Sequence, residues 1–327
     1  MSRAFPDTAL AADIAAGLAR VETLFESQLS SEFPAVNDLC RHVERYRGKM
    51  LRPTLVLVSG LAFTADGEPL RSEHDVIAAT VEMIHMATLV HDDVLDDATV
   101  RRRGETVNFL RGNEMAVMLG DYLISNAFHL CSRAGDPALN LRLGEVTNTL
   151  CEGELVQLSR RHDLSLDENT YFEIVRRKTA VLVGASCELG TRLAGASGAD
   201  VTAMREFGER LGVAFQIQDD LLDLLGDEAT VGKSIGRDLE KGKLTLPMIL
   251  HIAGTSGAAR IDALRAIESK DGPALRALLA RSGSIDAARA KAVGIVEEAK
   301  RLLPATRRAH SQELLLELAN RVVARDN

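Results

Sequence analysis

The chain has 327 residues, 46% hydrophobic and 4% aromatic, with 39 Lys plus Arg against 47 Asp plus Glu and a net charge of −8. That length suffices for one large domain or two ordinary ones. The acidic balance speaks against a general nucleic-acid binder, which needs a basic footprint to displace counterions, and no window approaches the roughly 18 uninterrupted apolar residues of a membrane span.

In chain order the dominant signal is helical. Leu10, Ile14, Leu18, Val21, Leu24, Phe25 and Leu29 recur at three- and four-residue steps and line one helix face. Asp7 and Asp13 lie where a signal peptide needs an apolar core, so a cytoplasmic chain is expected. The same periodicity predicts helices over 53–63, 76–94, 113–131, 138–158, 169–193, 200–225 and 246–253, then shorter amphipathic ones such as 285–303 and 311–324. Alternating strand patterns hardly occur, and no repeat of about 30–45 residues marks a solenoid. The expectation is one all-α domain over 1–327, with an N-terminal helix region at 1–34 and accessory helices at 257–327. Cys40, Cys131, Cys151 and Cys187 are scattered without a CxxC pair and read as small buried residues in a reducing compartment.

Two segments break the apolar helical pattern. Asp92, Asp93 and Asp96 form one DDxxD, and Asp219, Asp220 and Asp223 form a second, 127 residues later. On a helix each triplet places three carboxylates on one rim, where like charges repel until a cation neutralises them. Hard oxygen donors without a Cys or His cluster suit Mg²⁺ better than Zn²⁺. A single DDxxD in an acidic protein is most simply a solvated face. Two copies, each behind apolar residues (87–90 and 213–217), suit Mg²⁺ held jointly by carboxylates and a diphosphate.

Basic residues supply the complement. Lys49 and Arg52 stand at i, i+3 beside an expected helix start at Pro53, a favourable anion site. Arg101, Arg102 and Arg103 follow the first cluster, and an Arg run ending in Gly104 reads equally as a helix C-cap. Lys178 and Thr179 interrupt an apolar helix. The longest polar stretch, 226–243, carries Lys233 and Lys243 with four Gly, and a loop of that size in a compact helical domain is more often functional than idle.

These residues lie in GKMLRP (48–53), EMIHMATLVHDDVLDDATVRR (82–102), GDYL (120–123), CEGELVQL (151–158), KTA (178–180), FQIQDDLLD (215–223) and GKSIGRDLEKGKLTLP (232–247). In that order and spacing they resemble the trans-isoprenyl diphosphate synthases of the polyprenyl synthetase family. The resemblance covers roughly residues 35–325. It implies a helical bundle of the isoprenoid synthase type with a central substrate cavity, a homodimer, and Mg²⁺ as cofactor, about three ions per active site.

The resemblance also implies residue roles. Asp92, Asp93, Asp96, Asp219, Asp220 and Asp223 match the metal-holding motifs, with Asp223 the least direct ligand. Arg101, Lys178 and Lys233, with Lys243, match contacts to the allylic diphosphate. Lys49, Arg52, His85, Arg102 and Phe215 match the isopentenyl diphosphate pocket. Thr179 and Gln216 match oxygen donors beside the developing allylic cation, and with Lys178 and Lys233 make the catalytic set. Arg103 and Glu105 depart from the family, which usually has Gly and often Pro there, and alter the loop after the Arg pair. The chemistry is consistent: breaking an allylic C–O bond leaves a diphosphate whose charge Mg²⁺, Lys and Arg stabilise. No His or Glu stands out as the base, so the released diphosphate is expected to take the proton.

Product length has a local signal. Thr88 and Ala87 lie about one helical turn before Asp92 and Ile84 about two, at roughly 1.5 Å per residue. Bulky aromatics at the fourth and fifth upstream positions give short products in the family. Thr88 and Ala87 leave that floor open, and an all-trans product of about C30–C50 is expected. A block supplied instead by Met118 or Tyr122 gives a farnesyl or geranylgeranyl product. Two rivals remain at this point: a terpene cyclase or squalene-synthase-like enzyme, and a non-catalytic subunit of a heteromeric synthase.

Overall fold

The computed structural model describes residues 8–44, 46, 48–101, 104–225 and 236–324. Among these, all regular structure is helical except one two-stranded hairpin. The helices are α1 (Thr8–Leu29), α2 (Pro34–Glu44), α3 (Leu51–Phe63), α4 (Ser72–Leu95), α5 (Val107–Arg111), α6 (Asn113–Ser132), α7 (Pro137–Ser159), α8 (Glu168–Val175), α9 (Val181–Leu193) and α10 (Gly198–Leu225). After these come α11 (Arg237–Glu240), α12 (Leu246–Gly254), α13 (Gly257–Glu268), α14 (Gly272–Arg281), α15 (Ser284–Leu302) and α16 (Ala309–Val323). No helix among the described residues is long and apolar enough to cross a membrane.

Four details differ from the sequence expectations. The helix expected at Pro53 begins at Leu51, because Met50 takes a left-handed conformation (φ 50°) that turns the chain into it. Pro53 then sits in the first turn, where a missing N–H costs nothing. The single helix expected over 169–193 is α8 and α9 joined by a π-turn at Arg176–Ala180. Arg101 and Gly104 do not end a helix: β1 (Val100–Arg101) pairs antiparallel with β2 (Gly104–Glu105). Finally Cys151 is exposed, whereas Cys40, Cys131 and Cys187 are buried; Cys151 lies on an outward face of α7, so helical position overrides its apolar preference.

The chain divides into two compact units. The first comprises residues 1–147, 182–206 and 303–317. Its organising element is α4, buried around much of its circumference and packed by α1, α3 and α6. Small residues permit the close approaches. A Cβ on Gly120 of α6 would stand 2.1 Å from the His91 ring on α4, and one on Gly190 would stand 2.2 Å from the Val56 carbonyl oxygen on α3.

The second unit comprises residues 148–181, 207–302 and 318–327. Ile217, Leu221 and Leu224 of α10 join Leu246, Met248 and Ile249 of α12 and Ile285, Ala288 and Ala292 of α15 in one apolar core. Burial of these side chains at about 25 cal/mol per Å² is what fixes the face of α10 that carries the second DDxxD.

Candidate active site

In the first unit, Asp92 and Asp93 lie in the last turn of α4, and Asp96 is its C-cap, its N–H donating to the Asp92 carbonyl at 2.8 Å. Asp97, at φ 44°, reverses the chain into the hairpin. The reversal is pinned at several points. The Ala98 N–H donates to the Asp93 carbonyl (2.8 Å), and the Asn108 side-chain amide donates to the Asp93 and Ala98 carbonyls (3.1 and 3.0 Å). His42 meets the Glu105 carbonyl at 2.8 Å, and the Val107 N–H donates to the Tyr46 hydroxyl at 3.0 Å.

This loop delivers Arg101 to Asp93. The guanidinium Nε and Nη2 donate to the same oxygen, Oδ1, at 2.8 and 2.7 Å. Asp93 is 1% exposed and its Oδ2 is buried without a hydrogen bond. Burial pushes the Asp93 carboxyl up, and Arg101 pulls it part of the way back. Burial, then the Asp93 charge, raises the adjacent Tyr46 phenol to about 12.

Other residues singled out in the sequence are distributed through this unit. Lys49 is exposed ahead of α3, and Arg52 is half-buried in the first turn of α3. His85 is half-buried on α4, and the Thr88 hydroxyl donates to its carbonyl at 2.7 Å. Ile84 and Ala87 have no exposed surface, while Thr88 is half-buried. Arg102 lies outside the described residues.

The second unit gathers more of the expected set. Lys178, Thr179, Gln216, Asp220 and Lys243 all line one recess of about 620 Å³. Lys178 extends from the π-turn, pairs with Glu154 and donates to the Gln157 side-chain oxygen at 2.8 Å. The Thr179 hydroxyl donates to Gln216 Oε1 (2.9 Å), and Gln216 Nε2 donates to Asp220 Oδ1 (2.8 Å). The Tyr171 hydroxyl donates to Asp220 Oδ2 at 2.6 Å. Burial, then the charge of Asp238, pushes Asp220 well above the usual carboxylate range, while the Tyr171 and Gln216 bonds oppose that rise. Asp219 and Phe215 are half-buried on the same helix.

Asp223 is differently employed. Its carboxylate accepts the backbone N–H groups of Arg237 (3.3 Å) and Asp238 (3.2 Å), the orphan donors at the start of α11. It lines a smaller recess of about 280 Å³ with Asp220, Gly236 and Arg276. Burial and Asp238 raise it to about 7. Lys233 lies outside the described residues; Lys243 reaches Asp238 at 3.9 Å.

Tyr171, Glu154, Gln157 and Asp238 were not singled out from the sequence. Glu154, Gln157 and Asp238 stand inside quoted segments, so their place beside Lys178 and Lys243 was a readable signal. Tyr171 stands in none of them.

The donor set fits a hard divalent cation. In the first unit Asp93 presents a buried oxygen without a hydrogen bond. In the second, the charges of Asp238 and Asp219 add to burial in raising Asp220 and Asp223, which favours a bound positive charge there. Among the described residues no three His, Cys, Asp or Glu are gathered closely enough to enclose a metal alone.

Comparison with known proteins agrees. The sequence profile of the polyprenyl synthetase family matches residues 33–279. The heptaprenyl diphosphate synthase component 2 of Geobacillus stearothermophilus is 33% identical over 310 residues, covering 94% of this chain and 96% of the relative. The octaprenyl diphosphate synthase of Escherichia coli is 33% identical over 315 residues, with coverage of 94% and 96%. A crystal structure of a polyprenyl synthase from Caulobacter crescentus, complexed with calcium and isoprenyl diphosphate, superposes with a TM-score of 0.90 at 34% identity and covers all of both chains.

Proposed function

The chain belongs to the polyprenyl synthetase family, and on that premise we propose that it is a Mg²⁺-dependent trans-prenyltransferase adding isopentenyl diphosphate to an allylic diphosphate, head to tail, to an all-trans product of about C30–C50. The observation that carries this reading is the pair of intact DDxxD motifs within a match to the family over residues 33–279. Relatives named for heptaprenyl and octaprenyl products support the long chain, as do Ala87 and Thr88 upstream of Asp92.

Bound Mg²⁺ would neutralise the allylic diphosphate and stabilise the charge that develops on it as the C–O bond breaks. Asp92, Asp93 and Asp96 of the first motif, and Asp219 and Asp220 of the second, are the metal-holding residues that the family resemblance implies, with Asp223 acting mainly through the α11 backbone. Arg101, Lys178, Lys233 and Lys243 are the contacts to the allylic diphosphate that the family resemblance implies. Lys49, Arg52, His85 and Arg102 would bind isopentenyl diphosphate, with Phe215 beside its alkene. The Thr179 and Gln216 oxygens keep lone pairs beyond their mutual hydrogen bond, and can face the developing cation. The proton lost after condensation goes to the released diphosphate.

All six aspartates are present, which supports a catalytic subunit although one relative is a named component of a synthase. Exposed Phe109, Leu110, Met115 and Met118 on α5 and α6 support a homodimer working as one catalytic domain per chain. The test is the purified chain alone with Mg²⁺, isopentenyl diphosphate and farnesyl diphosphate, the product being sized as polyprenol after phosphatase treatment. Polyprenols of about C30–C50 are expected. No condensation with any allylic primer removes the reaction class, and a product stopping at C15 or C20 removes the chain length. Light scattering reads the dimer.

A further inference from the structure

Tyr171 sits at 5% exposure in the apolar core of the second unit, with the Phe172 ring edge-on at 5.5 Å. Its hydroxyl is the polar exception there, and it is aimed at Asp220 Oδ2, 2.6 Å away. Gln216, one turn earlier on α10, donates to the other oxygen at 2.8 Å. A carboxylate with one donor fixed on each oxygen cannot rotate about its Cβ–Cγ bond without losing both bonds. Each oxygen still keeps a second lone pair for a cation. The two donors therefore fix the plane of Asp220 and leave its metal-binding capacity intact.

Gln216 is itself oriented. Thr179 donates to its Oε1 at 2.9 Å, which turns its Nε2 toward Asp220. The chain Thr179–Gln216–Asp220–Tyr171 thus ties one carboxylate of the second DDxxD to the π-turn that carries Lys178, within a single unit. We propose that Tyr171 is a positioning residue, whose hydroxyl holds Asp220 in the orientation that takes the divalent cation. The inference rests on reading Asp220 as a metal ligand. It assigns work to a side chain that would otherwise only fill the core.

The test measures Mn²⁺ binding by electron paramagnetic resonance, with inorganic diphosphate present, for the wild type, Tyr171→Phe, Asp220→Asn and the double variant. Tyr171→Phe removes one oxygen and leaves the ring in place. Loss of an outer-shell partner typically weakens metal binding about 10–100-fold, so the variant is expected to bind Mn²⁺ about tenfold more weakly and to need about tenfold more Mg²⁺ for half-maximal turnover, with an unchanged KM for isopentenyl diphosphate. In the Asp220→Asn background the same substitution should change nothing further, as coupled residues require. A folded Tyr171→Phe chain with wild-type Mn²⁺ affinity overturns the proposal, as does an equal loss in both backgrounds.

Should Tyr171→Phe not fold, fluorotyrosine in the otherwise unaltered chain gives the reading. The chain has three Tyr, and Tyr46→Phe and Tyr122→Phe identify the other two ¹⁹F resonances by deletion. The Tyr171 resonance should shift on adding Mg²⁺ with inorganic diphosphate, and a static resonance overturns the proposal. A wild type that neither binds Mn²⁺ nor condenses substrates instead overturns the reading of the site itself.

Discussion

Gly153 lies directly against Lys178: a Cβ at residue 153 would stand 2.6 Å from the Lys178 backbone nitrogen and 2.8 Å from the Arg177 Cβ. Helix α7 and the π-turn approach this closely only because residue 153 has no side chain. The nearest obstacle is backbone, which cannot swing aside as a flexible side chain would. Gly153→Ala is therefore expected to cost about 1–3 kcal/mol of stability, the usual range for overpacking. Because the displaced segment carries Lys178, the KM for the allylic primer should rise as well. Urea denaturation and primer titration check the two parts, and wild-type values for both would show that the π-turn yields freely.

Arg101 and Asp93 form a buried ion pair in the first cluster, at 17% and 1% side-chain exposure. Replacing Arg101 with Met leaves a buried carboxylate without its cation. Breaking such a pair from one side costs about 3–5 kcal/mol. Adding Asp93→Asn should recover much of that loss, because the uncompensated charge goes with it. Urea denaturation of the single and double variants at pH 8 measures both steps, and a double variant no more stable than Arg101→Met would mean that the charge is relieved by water.

The π-turn is also braced electrostatically. Glu173 accepts from Arg176 at 2.8 Å and from Arg177 at 2.7 Å, and those bonds hold its carboxyl at about 2, below its ordinary 4.5. A carboxylate lowered on folding adds stability that is present above about pH 4.5 and is lost as pH falls toward 2. Glu173 is half exposed, so screening keeps the contribution below about 1 kcal/mol. Glu173→Gln should lower Tm slightly at pH 7, and the gap from wild type should narrow between pH 4.5 and pH 3. A gap constant over that range would assign the effect to packing.

The long helices were legible because apolar residues recur with a period near 3.6 over many turns. The two DDxxD motifs were legible because adjacent carboxylates on an apolar helix are costly without a purpose. The π-turn was not legible: one extra residue within 169–193 barely disturbs the apolar period, and Gly153, which accommodates it, lies on another helix. The strands at Val100–Arg101 and Gly104–Glu105 are too short for strand alternation to register. The expectation that every cysteine is buried failed at Cys151, where the helix faces outward. Tyr171 carried no signal, since a tyrosine in an apolar run looks like core until its hydroxyl is seen to meet Asp220.

The three positions proposed to face the growing tail differ on α4 itself. Ile84 and Ala87 have no accessible surface, whereas Thr88 is half-buried and its hydroxyl turns back to the His85 carbonyl. A Phe at 88 stands about 6 Å, one turn, before Asp92, and has open surface to enter. Thr88→Phe is therefore expected to cut the product to about C15–C20 with little change in stability. Ala87→Phe should shorten it too, but its ring must displace packed neighbours, at about 1–3 kcal/mol. Polyprenol sizing and urea denaturation of the two variants separate these effects. Shortening by either one places the floor on this face of α4. An unchanged product in both places it elsewhere, and Met118 and Tyr122 on α6 are the next positions to substitute.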